Sequence, residues 1–115
     1  MAYNLFIDDE RYPSDYSVKA FVIARSSNES IDIIHKNGCP EFISFDHDLG
    51  GEDTAMKVVK WLIDIDINGC LLGLPFIPEN FSFDVHSQNP VGAKNIKELL
   101  NSYLEFRSKD GNLCI

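Results

Sequence analysis

Residues 42–51, Phe42-Ile43-Ser44-Phe45-Asp46-His47-Asp48-Leu49-Gly50-Gly51, form a short apolar run that ends abruptly in charge. Four residues are too few for a helix, and they follow Pro40, so 42–45 is expected to be a strand. The double glycine turns the chain after it. The pattern recurs twice. Tyr3, Leu5, Phe6 and Ile7 run into Asp8-Asp9, as suits a strand buried on both faces, and Phe81, Phe83 and Val85 run into His86-Ser87-Gln88-Asn89.

Between these runs the sequence predicts helices. Ser26 and Glu29 form a capping box ahead of Ile31, Ile33 and Ile34, and the helix closes at Asn37-Gly38. Ala55, Val58, Val59, Leu62, Ile63 and Ile67 recur at three- and four-residue spacing, with Asp53 or Thr54 as cap and Asn68-Gly69 as the stop. Pro90 opens a last helix, capped by Asn89, that carries Val91, Ile96, Leu99, Leu100, Tyr103 and Leu104. Residues 19–25 (KAFVIAR) make a further strand after a loop containing Pro13, Ser14 and Asp15. Residues 71–76, broken by Pro75 and Pro78, are either a buried loop or a short strand, and the tail 111–115 is either frayed or an edge strand. The order β-β-α-β-α-β-α predicts an α/β, three-layer fold, with a mainly parallel four-stranded sheet and helices on both faces.

The 115 residues, 44% of them apolar, suffice for one core, and 1–115 is taken as a single domain. No apolar run approaches the roughly 18 residues needed to span a bilayer, and the first residues lack a secretory signal, so a cytoplasmic protein without membrane association is expected. Cys39, Cys70 and Cys114 make no paired framework and are expected to be reduced thiols. Ten basic against eighteen acidic residues leave a net charge of −8, which disfavours nonspecific binding to a phosphate backbone.

In a parallel sheet, ligands bind outside the carboxyl ends of the strands. The fold therefore gathers Asp8, Asp9, Asp46, Asp48, His47, His86 and Ser87 at one rim. Clustered carboxylates raise one another's pKa, and a hard divalent cation relieves the repulsion. Asp8, Asp9, Asp46 and Asp48 are the expected ligands of Mg2+ or Mn2+, and His47 or His86 as a nitrogen ligand would admit a softer metal. His47 and His86 are expected to move protons, Arg11 to pair with a phosphate oxygen, and Ser87 to lie before a helix N-terminus suited to anions.

LFIDDER (residues 5–11) and FISFDHDLGG resemble the acidic strand ends of the response-regulator receiver domain. The resemblance implies a truncated receiver/flavodoxin-like fold, with Asp8 and Asp9 as the metal-binding pair and Asp46 as the phosphoacceptor. It also places Asp48 where a backbone carbonyl completes the metal shell, and His86 or Ser87 where the family has a switch Ser/Thr. A loop stands in place of the family's first helix, and no fifth strand ends in a lysine. Together with HSQNPVG (residues 86–92), the motifs more closely resemble the cyclic-phosphate processing receiver-like domains, which implies cyclic phosphate ends in RNA metabolism as substrates.

The expected function is a metal-dependent phosphoesterase acting on a small phosphate ester, such as a cyclic phosphate of a nucleotide or an RNA end. One alternative is a non-catalytic signalling or ligand-sensing module, in which Asp46 accepts a phosphoryl group without turnover. Another is an acidic interaction protein, which leaves the clustering of histidines with carboxylates unexplained.

Overall fold

The computed structural model describes residues 2–13 and 20–110, the last two as backbone only. Its elements are β1 (Asn4–Ile7), β2 (Phe21–Ala24), α1 (Ser27–Asn37), β3 (Phe42–Phe45), α2 (Met56–Leu71), β4 (Ser82–Val85) and α3 (Pro90–Asp110). The sheet order is β2-β1-β3-β4, and every pairing is parallel. The α/β class and the four-stranded, receiver-like sheet thus stand as read from the sequence.

The layering follows from handedness. Crossing from β2 to β3 and from β3 to β4 proceeds in one direction along the sheet, so right-handed crossovers put α1 and α2 on the same face. Leu5, Ile7, Ala24, Ile43 and Phe45 meet Ile34 of α1, Val58, Val59 and Leu62 of α2, and Ile96, Leu100 and Tyr103 of α3 in one core. The step from β1 to β2 runs the other way, and its connection contains no helix among the described residues. The second face therefore carries side chains of opposite parity, Phe6, Phe21 and Phe42, with ring centroids 5.8 and 6.2 Å apart. Helices on both faces were expected; the three described helices share one. Residues 14–19 and the tail 111–115, which bear on the expected loop, the start of the second strand and the edge strand, lie outside the described residues.

Local chemistry sets the element ends. Ser26 Oγ accepts the Glu29 N–H at 3.0 Å, and the Glu29 carboxylate accepts from the Arg25 N–H at 2.6 Å, so the capping box is displaced by one residue. Asp53 does not cap α2; it accepts from Ser27 N and Oγ at the start of α1, at 2.8 and 2.5 Å, and α2 begins without a side-chain cap. Gly69 does not stop α2 either, which continues to Leu71. A Cβ at Gly69 would lie 2.2 Å from the Leu74 carbonyl oxygen, so this glycine serves the close return of the chain over the helix. Beyond Leu71, residues 72–76 form a loop, not a strand.

That loop is fastened by Asp66, which is wholly buried. Its carboxylate accepts from the Phe76 and Ile77 N–H groups at 2.9 and 2.8 Å, from the Tyr103 hydroxyl at 2.6 Å and from Arg107 Nη1 at 2.9 Å. Burial alone would raise the Asp66 pKa, but the bonds from Tyr103, Ile77 and Arg107 together outweigh it and hold it below the usual carboxylate range. Cys39 is a partly buried free thiol whose pKa burial pushes up to about 12, whereas Cys70 is disulfide-bonded, contrary to the expectation of reduced thiols.

Asp66→Asn is expected to cost about 3–5 kcal/mol at neutral pH, because it strands the buried Arg107 charge. A depressed folded-state pKa stabilises fully above the unfolded value near 3.9 and is lost as pH falls through the folded value. Urea denaturation across pH should therefore show a constant gap between wild type and variant down to about pH 5, narrowing in acid.

Candidate functional site

The ladders run one residue past each strand. The Asp8 N–H donates to Ala24 O at 3.1 Å, Asp46 N–H to Ile7 O at 2.9 Å and His86 N–H to Phe45 O at 2.9 Å. In-register pairing thus sets Asp8, Asp46 and His86 in one row, and one ligand atom from each lies within 4.8 Å of the others.

Asp8 is fully buried. Its Oδ1 accepts from the Glu10 and Arg11 N–H groups at 3.0 and 2.8 Å, and its Oδ2 accepts from Arg11 Nε at 2.8 Å and pairs with His86 Nε2 at 3.0 Å. Burial would raise its pKa, but the Arg11 and Glu10 backbone bonds, the His86 bond and the Arg11 charge lower it on balance. Arg11, about 40% exposed, bridges from Asp8 to Asp46, with Nη2 at 3.4 Å from Asp46 Oδ2. Desolvation disfavours the Arg11 charge, but the Coulombic pull of Asp8 and then Asp46 prevails and raises its pKa. Arg25 secures the loop from below: its Nη1 donates to the Asp8 and Arg11 carbonyls at 3.1 and 2.6 Å, and its guanidinium lies 4.6 Å from the Tyr12 ring centre.

His86 is held on three sides. Its ring stacks on Phe6 at 4.4 Å and 6°, and Nδ1 lies 2.7 Å from Ser44 Oγ. Nε2 faces the Asp8 carboxylate and Nδ1 the Ser44 hydroxyl, which can both donate and accept, so each ring nitrogen has a partner.

A second clamp holds the β3–α2 loop against α3. Asp48 Oδ1 pairs with His47 Nδ1 at 2.9 Å, and Asp48 Oδ2 accepts from Asn89 Nδ2 at 3.2 Å. The His47 bond and then the Asn89 bond lower the Asp48 pKa. Asn89 Oδ1 in turn accepts the Gly92 N–H at 3.0 Å as the cap of α3, and Ser87 Oγ accepts the Asn89 N–H at 3.1 Å. A Cβ on Gly92 would come within 2.3 Å of His47 Cγ, so the imidazole lies directly on the helix backbone.

An open cavity of about 520 Å3 completes the rim, lined by Asp9, Glu10, Arg11, Asp46, Asp48, Gly50, Gly51, Ser87, Gln88 and Asn89. Of the residues expected from the sequence, Asp8, Asp46, Arg11 and His86 form one bonded cluster, while Asp9, Arg11, Asp46, Asp48 and Ser87 face the cavity. His47 and His86 are not among its walls. The donor set suits a hard cation: both Asp8 oxygens are engaged twice and both Asp48 oxygens once. Among the described residues, Asp9 makes no hydrogen bond or ion pair, and the Asp46 carboxylate pairs with Arg11 alone. The sequence reading missed Ser44, Phe6, Arg25 and Gly92. Ser44, the one polar residue inside β3, carried a signal; the others depend on distant partners.

A parallel sheet of order β2-β1-β3-β4 with carboxylates beyond β1 and β3 defines a receiver-like α/β domain. The family model of the cyclic-phosphate processing receiver domain matches residues 3–102, and the chain belongs to that family. No curated protein and no solved structure matches the chain.

Gly92→Ala should destabilise the protein by about 1–3 kcal/mol through overpacking against His47. In a double-mutant cycle followed by thermal unfolding, His47→Ala should restore part of that loss. Additive effects would remove the contact as the cause.

Proposed function

We propose that the rim is the active site of a cytoplasmic, metal-dependent phosphoesterase acting on a small phosphate ester, such as the cyclic phosphate of a nucleotide or of an RNA end. The observation that carries this reading is that Asp9 and Asp46, two carboxylates not saturated by hydrogen bonds, open onto the same cavity as Arg11. Membership of a cyclic-phosphate processing family supports a phosphate-bearing substrate.

Asp9 and Asp46 would hold Mg2+ or Mn2+, which supplies charge neutralisation at phosphoryl oxygens. Arg11, permanently charged and partly exposed, pairs with a phosphoryl oxygen while its Nε stays on Asp8. The N-terminus of α3, next to Ser87 and Asn89, adds the positive end of a helix dipole. His86 serves as a positioning residue: it fixes Asp8, and through Asp8 it fixes Arg11. His47 and Asp48 keep the β3–α2 loop and α3 at constant separation.

Three substitutions test the assignment. Asp46→Asn should weaken Mn2+ binding at least about tenfold in calorimetric titration, since it removes one of two open anionic ligands. Arg11→Ala should lower kcat/KM about 10²-fold, with metal affinity changed far less. His86→Ala should lower kcat about tenfold or more, whereas His86→Gln, which keeps a donor for Asp8, should recover part of it. The substrates are 2′,3′- and 3′,5′-cyclic nucleotides, linear diesters and monoesters, each with Mg2+ or Mn2+. Absence of turnover on all of them, with stable phosphorylation of Asp46 by acetyl phosphate, would replace this reading with a phosphoacceptor module.

A further inference from the structure

A second cavity, of about 560 Å3, lies at the opposite end of the sheet from the carboxylate rim. Its walls include Phe81, just ahead of β4, and Leu104 and Arg107 in the last turns of α3. At 1.5 Å per helical residue, Arg107 is about 25 Å along α3 from Pro90 at the rim. We propose that this cavity binds a small carboxylate with an apolar body, and that Arg107 is the residue that grips it.

The argument begins with how little of Arg107 the fold consumes. Nη1 alone donates to Asp66, at 2.9 Å, and to the Ile77 carbonyl, at 2.8 Å. Among the described residues Nε and Nη2 have no hydrogen-bond partner, and the side chain is 11% exposed. No fully enclosed side-chain nitrogen among the described residues lacks a partner, so neither group is sealed in the core, and Arg107 is itself a wall of the cavity. A guanidinium is a rigid planar fork of donors. With one nitrogen pinned, the Nε–Nη2 edge is held ready for two parallel bonds to a carboxylate.

The other walls specify the rest of the ligand. Pro75, Pro78, Phe81 and Leu104 present an apolar lining, two of them rigid prolines that lose little freedom on binding. The volume is that of a small-molecule site. Charge selects a monoanion over a phosphate dianion: Asp66 already offsets Arg107, Glu79 stands in the wall, and the chain carries −8. None of this depends on the phosphoesterase reading of the rim.

The test uses the isotope-labelled full chain, titrated with hexanoate and phenylacetate and followed by amide NMR shifts. Hexan-1-ol and inorganic phosphate are the comparison probes. The acids should give saturable shifts at residues 75–81 and 104–108, with Kd on the order of 1 mM for ligands of this size. Hexan-1-ol should bind about tenfold or more weakly, as it lacks the charge-assisted pair. Leu104→Trp, which fills the cavity without touching the charged groups, should abolish the shifts in a chain whose other resonances are unchanged. Arg107→Lys, which keeps a cation for Asp66 but not the fork, should weaken the acids about tenfold. The proposal is overturned if neither acid saturates, if hexan-1-ol binds equally well, if phosphate binds more tightly at these residues, or if a folded Leu104→Trp chain binds as before. Should Leu104→Trp fail to fold, the comparisons with hexan-1-ol and Arg107→Lys still decide.

Discussion

The candidate site depends on one buried carboxylate. Asp8 stands at the end of the central strand with no solvent access, and a carboxylate there is tolerable only when its lone pairs are occupied. The chain supplies donors from three directions: two backbone groups of its own loop, the Arg11 side chain and the His86 side chain from β4. Meeting the needs of this one group fixes the turn after β1, brings a guanidinium to Asp46 and orients an imidazole. Asp8 is thereby an organiser of the rim, and the exposed Asp9 beside it remains available to a ligand.

The surrounding frame transmits that order. In-register pairing of β1 with β3 and of β3 with β4 puts Asp8, Asp46 and His86 at one level, and the Phe6 ring stacks on the face of the imidazole whose Nε2 edge meets Asp8. Farther out, Asp48 and Asn89 tie a loop to the first turn of α3, and Asp53 ties the same loop to the start of α1. Three helices packed on one face leave the other to aromatic side chains, in keeping with a β1–β2 connection that holds no helix among the described residues.

Much of this was legible in the sequence because it is local. The abrupt change from apolar to charged residues at Asp8 and Asp46, the Ser26 cap and the Asn89-Pro90 helix start are all short-range signals, and each lies where it was expected. What stayed hidden is how polar groups pair over distance. Nothing in the neighbourhood of Asp8 reveals that its oxygens are saturated by a histidine 78 residues away, or that Asp53 serves α1 instead of α2. Gly69 shows the same limit. A glycine at a helix end and a glycine under a crossing chain look alike until the tertiary path is known.

The all-parallel sheet has a kinetic consequence. No strand can find its partner through a hairpin: Asn4 must meet Phe21 and Phe42, and Phe42 must meet Ser82. Loop-closure entropy rises only slowly with length, so the β1–β2 closure is the least costly, and the two longer closures, β1 with β3 and β3 with β4, cost nearly the same. Until β4 docks, Asp8 lacks its imidazole and the row of Asp8, Asp46 and His86 does not exist. The row therefore needs three strands in place at once, and a chain in which β4 is undocked keeps most of its core contacts but lacks this arrangement.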